Sequence, residues 1–201
     1  MTSPTYCADL PLACYPLRTT KQFSEEDFWN FCAEHPDIFC ERNENGSIII
    51  STPVFTKTGS AVAAVAADLT MYCRQHGGQA FGSKAGFTLP DTSVRTASVT
   101  YVSVETMASI SWTELTKFAG LVPDFVVEVV DPTRSGFVND LRMRTTWIAN
   151  GVKLAWLIDV DADKLWIYRA DSSVKIVSPL NQTITGEDVL PGFEFDLRLL
   201  S

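Results

Sequence analysis

Apolar positions recur with a helical period in several parts of the chain. Helices are predicted from Ser24 onward and over residues 58–76, 112–118 and 138–150. Ser24 precedes three acidic residues, which is typical of a helix N-cap with a capping box. The second and fourth helices are followed by Gly77 and Gly151, and glycine commonly ends a helix because it adopts a left-handed backbone without strain.

Shorter apolar runs between these helices predict strands. They cover residues 38–42, 47–51, 79–81, 86–89, 94–102, 125–130, 154–159, 165–168 and 174–177. The first two runs flank Asn43 to Gly46, a sequence that favours a hairpin turn. Residues 125–130 are apolar except for Glu128, as expected of a central strand buried on both faces. Helices alternating with strands predict an α/β fold with a mixed sheet.

The chain shows neither an internal repeat nor a linker that would divide it. Residues 1–20 contain several prolines and have no periodicity, so we interpret them as an extended N-terminal arm. Residues 21–201 then form one domain, a length that can bury a single core without disulfides. A membrane span needs about 20 consecutive apolar residues, and no run approaches that length.

Composition and charge exclude several classes of site. The net charge is −8, with 16 basic and 24 acidic side chains, which argues against a broad basic surface for nucleic acid. A small metal-assisted nucleic-acid site remains compatible with this charge. Five cysteines without a CxxC pair, and only two histidines, argue against a zinc cluster or a disulfide framework. Reduced thiols in a cytoplasmic protein are the better interpretation.

Glu128 is the position that most needs a chemical explanation. An isolated buried charge costs several kcal/mol, so this carboxylate must be paired, metal-bound, protonated or placed at the mouth of the strand. Alternation along the strand could also direct it to an arginine or to solvent. The sequence pattern alone leaves these alternatives open. Asp124 and Asp131, at the two ends of this strand, are interpreted as a strand-entry residue and a turn residue, although Asp131 could also help to hold a metal.

Several stretches between about residues 20 and 200 resemble one family, in order and at matching spacing. They are His35-Pro36-Asp37-Ile38, Glu41-Arg42 with Gly46, Thr52-Pro53, Thr58-Gly59, Gly86-Phe87 with Leu89-Pro90, Arg95, Pro123 to Glu128, Gly151-Val152 with Leu154 and Trp156 to Asp159, Ile167 to Arg169, and Gly186 to Phe193. Together they resemble the bacterial Uma-two family, which is described as putative restriction endonucleases.

This resemblance implies a restriction-endonuclease-like core of the PD-(D/E)xK type, with four or five strands in a mixed sheet flanked by helices, after an N-terminal helix and hairpin. It implies Mg²⁺-dependent hydrolysis of DNA, in which carboxylates hold the metal and a lysine supports the attacking water or the phosphate. The matching carboxylates are Glu41 and Glu128. Homodimers are common in this kind of fold, so the resemblance also suggests a homodimer.

The sequence departs from the family pattern at two of the four expected catalytic positions. The metal-binding aspartate of the family is replaced by Ser98, and a count back from Gly151 places the family lysine at Met143. A hydroxyl is a much weaker Mg²⁺ ligand than a carboxylate, and a thioether is hardly a ligand at all. Arg142 and Arg144 flank Met143, and either guanidinium could approach a phosphate, although neither can act as a base.

Two hypotheses follow from the resemblance and its departures. In the first, Glu128, Glu41 and Ser98 form a weak Mg²⁺ site, with Arg142 or Arg144 at the phosphate. In the second, the chain is a non-catalytic nuclease-fold module that binds nucleic acid or a protein partner. The two lost residues favour an endonuclease whose activity is weakened or absent.

Overall fold

Three sheets and four α-helices form the part of the chain that the computed structural model describes, namely residues 17–111, 113–130 and 136–200. The α-helices are α1 (Glu25–Glu34), α2 (Thr56–His76), α3 (Val104–Ala108) and α4 (Gly136–Arg142). The strands are β1 (Leu17–Gln22), β2 (Cys40–Arg42), β3 (Ser47–Ile50), β4 (Gln79–Gly82), β5 (Phe87–Thr88), β6 (Val94–Arg95), β7 (Val99–Val102), β8 (Phe125–Val129), β9 (Leu154–Asp159), β10 (Lys164–Arg169), β11 (Val174–Val177), β12 (Thr183–Gly186) and β13 (Leu190–Asp196).

The largest sheet has six strands in the order β11-β10-β9-β8-β7-β4. Strands β8 and β9 are parallel, whereas the other neighbouring pairs are antiparallel, so the predicted mixed sheet is confirmed. A second sheet has the order β1-β3-β2-β6-β5, and β12 pairs with β13 in a third. The mixture of sheets and helices confirms the predicted fold class.

Strand β8 lies in the middle of the six-stranded sheet and separates two apolar clusters. Phe125, Val127 and Val129 pack in a cluster with residues of α2 and β13, whereas Val126 packs in a cluster on the opposite face. Because successive side chains of a strand point to opposite faces, Glu128 shares the face of Val126. This alternation directs the single carboxylate of the strand toward the side of the sheet where α4 ends.

The helix predicted to begin at Ser24 and the helix predicted to end at Gly77 are both confirmed. The Ser24 hydroxyl accepts a hydrogen bond from the backbone N–H of Asp27, and the Asp27 carboxylate accepts one in return, which completes the predicted capping box. The predicted hairpin is also present, since β2 and β3 pair on either side of Gly46, whose φ is +84°. A left-handed backbone at this turn suits glycine.

The prediction of one strand over residues 94–102 is wrong. The chain forms β6 and β7 in two different sheets, and residues 96–98 pass between them. The reason lies at Thr96, whose backbone N–H donates to the carboxylate of Glu41 and not to a neighbouring strand. A hydrogen bond to the side chain of a residue distant in sequence thus takes the place of a ladder hydrogen bond where the strand ends.

The predicted helix over residues 138–150 is present but is not uniform. It begins at Gly136 as α4, continues as a π-helical turn over Met143–Trp147, and finishes with a 3₁₀ turn at Ile148–Asn150. Gly151 then adopts a left-handed φ of 103°. The expected helix over residues 112–118 is reduced to a 3₁₀ turn at Glu114–Thr116, and Trp112 lies outside the described residues.

Strands β1, β12 and β13 were not predicted from the sequence. Residues 17–20, within the expected arm, belong to strand β1, which pairs with β3, whereas residues 1–16 lie outside the described part. The division into an arm and one domain stays a prediction. None of the helices in the described ranges combines the length and hydrophobicity that a membrane span requires.

Candidate functional site

Glu128 and Glu41 line the same open cleft, although they come from different sheets. Glu128 lies on β8 of the six-stranded sheet, and Glu41 lies on β2 of the five-stranded sheet. Their side chains are 15% and 6% exposed, so both carboxylates are largely withdrawn from water. A pair of buried carboxylates needs a positive partner, because burial otherwise penalises each charge strongly.

Arg142, at the last position of α4, supplies that partner for both carboxylates. Its Nε donates to Glu128 Oε1 at 2.8 Å, and its Nη1 and Nη2 donate to the two oxygens of Glu41 at 2.9 and 2.8 Å. A fourth hydrogen bond runs from Nη2 to the backbone carbonyl of Thr96 at 2.7 Å. The guanidinium therefore bridges the two sheets as a fixed cation with a two-pronged contact to one carboxylate.

The segment that crosses between the sheets closes the other side of the cleft. Thr96 donates to Glu41 Oε1 through both its backbone N–H and its hydroxyl, each at 2.9 Å. The Ser98 hydroxyl oxygen accepts a hydrogen bond from the backbone N–H of Val129 at 3.0 Å, next to Glu128. Ser98 thus lines the cleft with Glu41 and Glu128, and its oxygen is engaged by the backbone of β8.

The electrostatics of this cluster follow from its geometry. Burial alone would raise the pKa of Glu41, but the adjacent Arg142 charge and its hydrogen bonds outweigh burial and lower that pKa to about 2. Burial alone would lower the pKa of Arg142, but the two carboxylates outweigh it and raise that pKa above its ordinary value. Glu41 and Arg142 are therefore both charged at neutral pH, and one guanidinium is shared between two carboxyl groups.

Further donors complete the hydrogen bonding of the two carboxylates. The indole N–H of Trp147 donates to Glu128 Oε1 at 3.0 Å, and the Arg142 guanidinium lies over the Trp147 ring at 5.7 Å from its centroid. Arg95 is buried behind Glu41, with its Nη1 at 3.5 Å from Glu41 Oε2, and its Nη2 also pairs with the exposed Glu44. Among the residues that the structure describes, the site is thus a network of five charged side chains, of which three are acidic.

Arg144 does not belong to this network. Its side chain is 46% exposed, pairs with Asp140 one turn earlier, and lies over the ring of Tyr168. Met143 contributes to the lining of the cleft but is fully buried in the apolar cluster beneath it. Of the three consecutive candidate positions, only Arg142 contacts the carboxylates.

The π-helical turn explains why Arg142, and neither Met143 nor Arg144, contacts the carboxylates. A π-helix takes more residues per turn than an α-helix, so a residue count made through Met143–Trp147 is displaced relative to an α-helical count. Such turns occur as single insertions within α-helices, frequently near functional sites. The count back from Gly151 that reached Met143 passes through this turn, and the side chain that faces the carboxylates belongs to the preceding residue.

Some residues of the site carried a sequence signal and others did not. Trp147 matches an aromatic position of the family pattern, one helical turn after the family lysine, but no contact with Glu128 was predicted for it. The role of Thr96 depends on the break between β6 and β7, which strand periodicity did not indicate.

Asp124 is buried at the entry of β8 and accepts hydrogen bonds from Lys153 and from the backbone N–H of Ser103, outside the cleft. Asp131 lies outside the described residues.

The donor set for a metal ion in this cleft is small. Within residues 17–111, 113–130 and 136–200, no group of three or more histidine, cysteine, aspartate or glutamate side chains is arranged to hold a metal. Of the described part of the chain, two carboxylates line the cleft, those of Glu41 and Glu128. Mg²⁺ prefers near-octahedral coordination by oxygen at about 2.0–2.1 Å.

Comparisons with known proteins agree with this fold. The crystal structure of a putative nuclease belonging to DUF820 from Anabaena variabilis ATCC 29413 is similar, with a TM-score of 0.70 and 14% identity over 89% of this chain and 97% of that chain. No curated protein matches the sequence. The model of the Uma2 family, described as "Putative restriction endonuclease", matches residues 25–198. The resemblance in the sequence is thereby confirmed, and the chain belongs to the Uma2 family.

Proposed function

We propose that this chain is a DNA endonuclease of the Uma2 type in which Mg²⁺-dependent cleavage is weak or absent. The family supports a nuclease-type function. The observation that carries the rest of the proposal is the position of Arg142, whose guanidinium is bonded to Glu41 and Glu128 at once. These are the two carboxylates that the family pattern assigns to the metal.

The residues of the cleft do not fit Mg²⁺ in this arrangement. Both oxygens of Glu41 accept hydrogen bonds from Arg142, and one of them also accepts two from Thr96. A divalent cation at the same carboxylates would lie within a few Å of a buried guanidinium, and like charges at that distance repel strongly at low dielectric. We therefore derive no catalytic step through a metal.

Ser98 weakens the site further. Its hydroxyl is neutral and already accepts the backbone N–H of Val129, so it cannot replace the charge of an aspartate. Arg142 is the residue that best corresponds to the family lysine, since it reaches the carboxylates from the following helix. Its permanent charge and its several hydrogen bonds make it a structural cation, whereas a lysine would leave more room and fewer fixed bonds.

The experiment that tests this proposal is the cleavage of supercoiled plasmid DNA in the presence of Mg²⁺ or Mn²⁺. The wild-type chain is expected to leave the plasmid intact. The double variant Ser98→Asp/Arg142→Lys restores a carboxylate and a lysine at the cleft and is expected to nick the plasmid. Adding Glu128→Ala to this variant should abolish nicking. Efficient cleavage by the wild type, or none by the folded double variant, would overturn the proposal.

Arg144 offers a matched control. The variant Ser98→Asp/Arg144→Lys makes the same kind of change on the same helical segment, but at an exposed side chain outside the cluster. It is expected to leave the plasmid intact. Met143→Lys is a poorer restoration than Arg142→Lys, because it would place an ammonium group in a fully buried position.

The alternative function is a non-catalytic module that binds nucleic acid or a protein partner. The fixed ion cluster favours it over an active enzyme. Fluorescence anisotropy of a labelled DNA duplex, measured in EDTA, separates the two kinds of partner. Binding that weakens with added salt supports DNA as the ligand, because phosphate contacts release counterions. Absence of binding at low salt would reject DNA and leave the protein partner.

A further inference from the structure

Two cysteine thiols lie next to each other where helix α1 packs against the middle of the five-stranded sheet. The sulfur of Cys32, on α1, is 3.9 Å from the sulfur of Cys40, on β2. A disulfide has a sulfur–sulfur distance of about 2.05 Å, so the two atoms would have to approach by about 1.9 Å. Rotation of the two side chains about their Cα–Cβ bonds moves each sulfur by a distance of this order.

The two thiols differ in their accessibility. Cys32 is partly exposed, whereas Cys40 is buried against Phe28, Ile48 and Val94. Both line a surface cavity of about 150 Å³ that also contains Lys84. A small oxidant can therefore reach the thiol of Cys32, and the thiol of Cys40 lies directly behind it.

We propose that Cys32 and Cys40 form a reversible intramolecular disulfide on exposure to a hydroperoxide. The Cys32 thiolate attacks a peroxide oxygen, the O–O bond breaks, and Cys32 becomes a sulfenic acid. The Cys40 sulfur then attacks the Cys32 sulfur, the S–O bond breaks, and the hydroxide leaves with the Cys40 proton as water. Two thiols are oxidised by two electrons, and hydrogen peroxide is reduced to two waters.

The electrostatic setting of the outer thiol agrees with this order of events. Hydrogen bonding to Cys40 lowers the pKa of Cys32, and this outweighs the opposite effect of its partial burial. The thiolate is the nucleophilic form of cysteine, so the more accessible residue is also the better nucleophile. The bridge would tie α1 to β2 at the residue before Glu41, and thus beside the ion cluster.

The sequence allows a direct test by peptide mapping. Glu34 lies between the two cysteines, so a glutamate-specific protease separates them unless a disulfide holds the fragments together. The folded full-length chain is treated with hydrogen peroxide, free thiols are blocked with N-ethylmaleimide, and the digest is analysed before and after reduction. We expect one major linked species that contains the Cys32 peptide and the Cys40 peptide. Its mass should be about 2 Da below the sum of the two reduced peptides, because two hydrogens are lost, and reduction should split it.

Cys73 provides the matched control. It is a partly buried thiol on α2, and burial raises its pKa. Cys73→Ser is expected to leave the linked species unchanged, whereas Cys32→Ser should remove it. The proposal is overturned if both thiols remain fully alkylated after peroxide treatment, if Cys32 accumulates as an unpaired oxidised acid, or if it links mainly to Cys7 or Cys14.

Discussion

Replacing Arg142 with methionine removes the cation that neutralises two buried carboxylates. The pKa of Glu41 is about 2 in the folded chain against an ordinary value of 4.5. Each pKa unit corresponds to about 1.4 kcal/mol, so this shift alone represents about 3 kcal/mol of stability at neutral pH. Loss of one partner of a buried ion pair typically costs about 3–5 kcal/mol. We expect Arg142→Met to lower the free energy of unfolding by about 3–5 kcal/mol at pH 7.

The same substitution should reverse the pH dependence that Glu41 contributes. In the wild type the folded pKa is depressed, so this contribution is complete above about pH 4.5 and is lost as the pH falls toward 2. Without Arg142, burial raises the pKa of Glu41 above its unfolded value. The variant then loses stability as the pH rises above about 4.5, because Glu41 must ionise while buried, with only the more distant Arg95 guanidinium, 3.5 Å from Glu41 Oε2, to offset its charge.

Urea denaturation between pH 3 and pH 8 measures both effects. Arg144→Met is the control: its pair with Asp140 is exposed, so it should cost less than about 1 kcal/mol. Although burial opposes it, Arg144 lowers the pKa of Asp140 below its ordinary value of 3.8, so this variant should change the pH profile only in the acid range and leave it unchanged above about pH 5. Glu41→Gln in the Arg142→Met background should recover part of the loss, since it removes the uncompensated charge. The reasoning is refuted if Arg142→Met behaves like Arg144→Met in both magnitude and pH profile.

Three further substitutions test the support of the site, each by denaturant titration at pH 7. Trp147→Phe removes the indole donor to Glu128 and leaves a small cavity, so it should cost about 2–4 kcal/mol. Asp124→Ala leaves the backbone N–H of Ser103 without its acceptor and should cost about 1–3 kcal/mol. Phe125→Ala opens a cavity in the fully buried core and should cost about 3–5 kcal/mol. A loss below about 1 kcal/mol in any of the three variants would contradict the contacts described for that residue.

The fold was largely predictable because most of its elements carry local signals. Ser24 caps a helix, Gly46 turns a hairpin, and the apolar run around Glu128 marks the central strand. Strands β12 and β13 were missed because β12 has only four residues and β13 contains Pro191 and Gly192, which are uncommon inside strands. Strand β1 was missed because its first residues belong to a segment whose prolines and lack of periodicity suggested an extended arm.

The site was predictable in its carboxylates but not in its cation. Glu41 and Glu128 were chosen from the family pattern, and an arginine partner for Glu128 was one alternative that the strand pattern left open. The choice between Arg142 and Arg144 depended on a π-helical turn, which depends on tertiary packing and has no simple periodic signal. The break at Thr96 likewise arises from a hydrogen bond to a residue 55 positions earlier, which no local pattern contains.

Arg142 lies between Glu41 and Glu128, and we propose that its guanidinium takes the position that a metal ion would need. This proposal is tested by isothermal titration calorimetry of Mn²⁺ into the wild-type chain at neutral pH. We expect no binding tighter than the millimolar range for the wild type, and measurable binding for Ser98→Asp/Arg142→Lys. Submillimolar binding by the wild type that disappears in Glu128→Ala would contradict it.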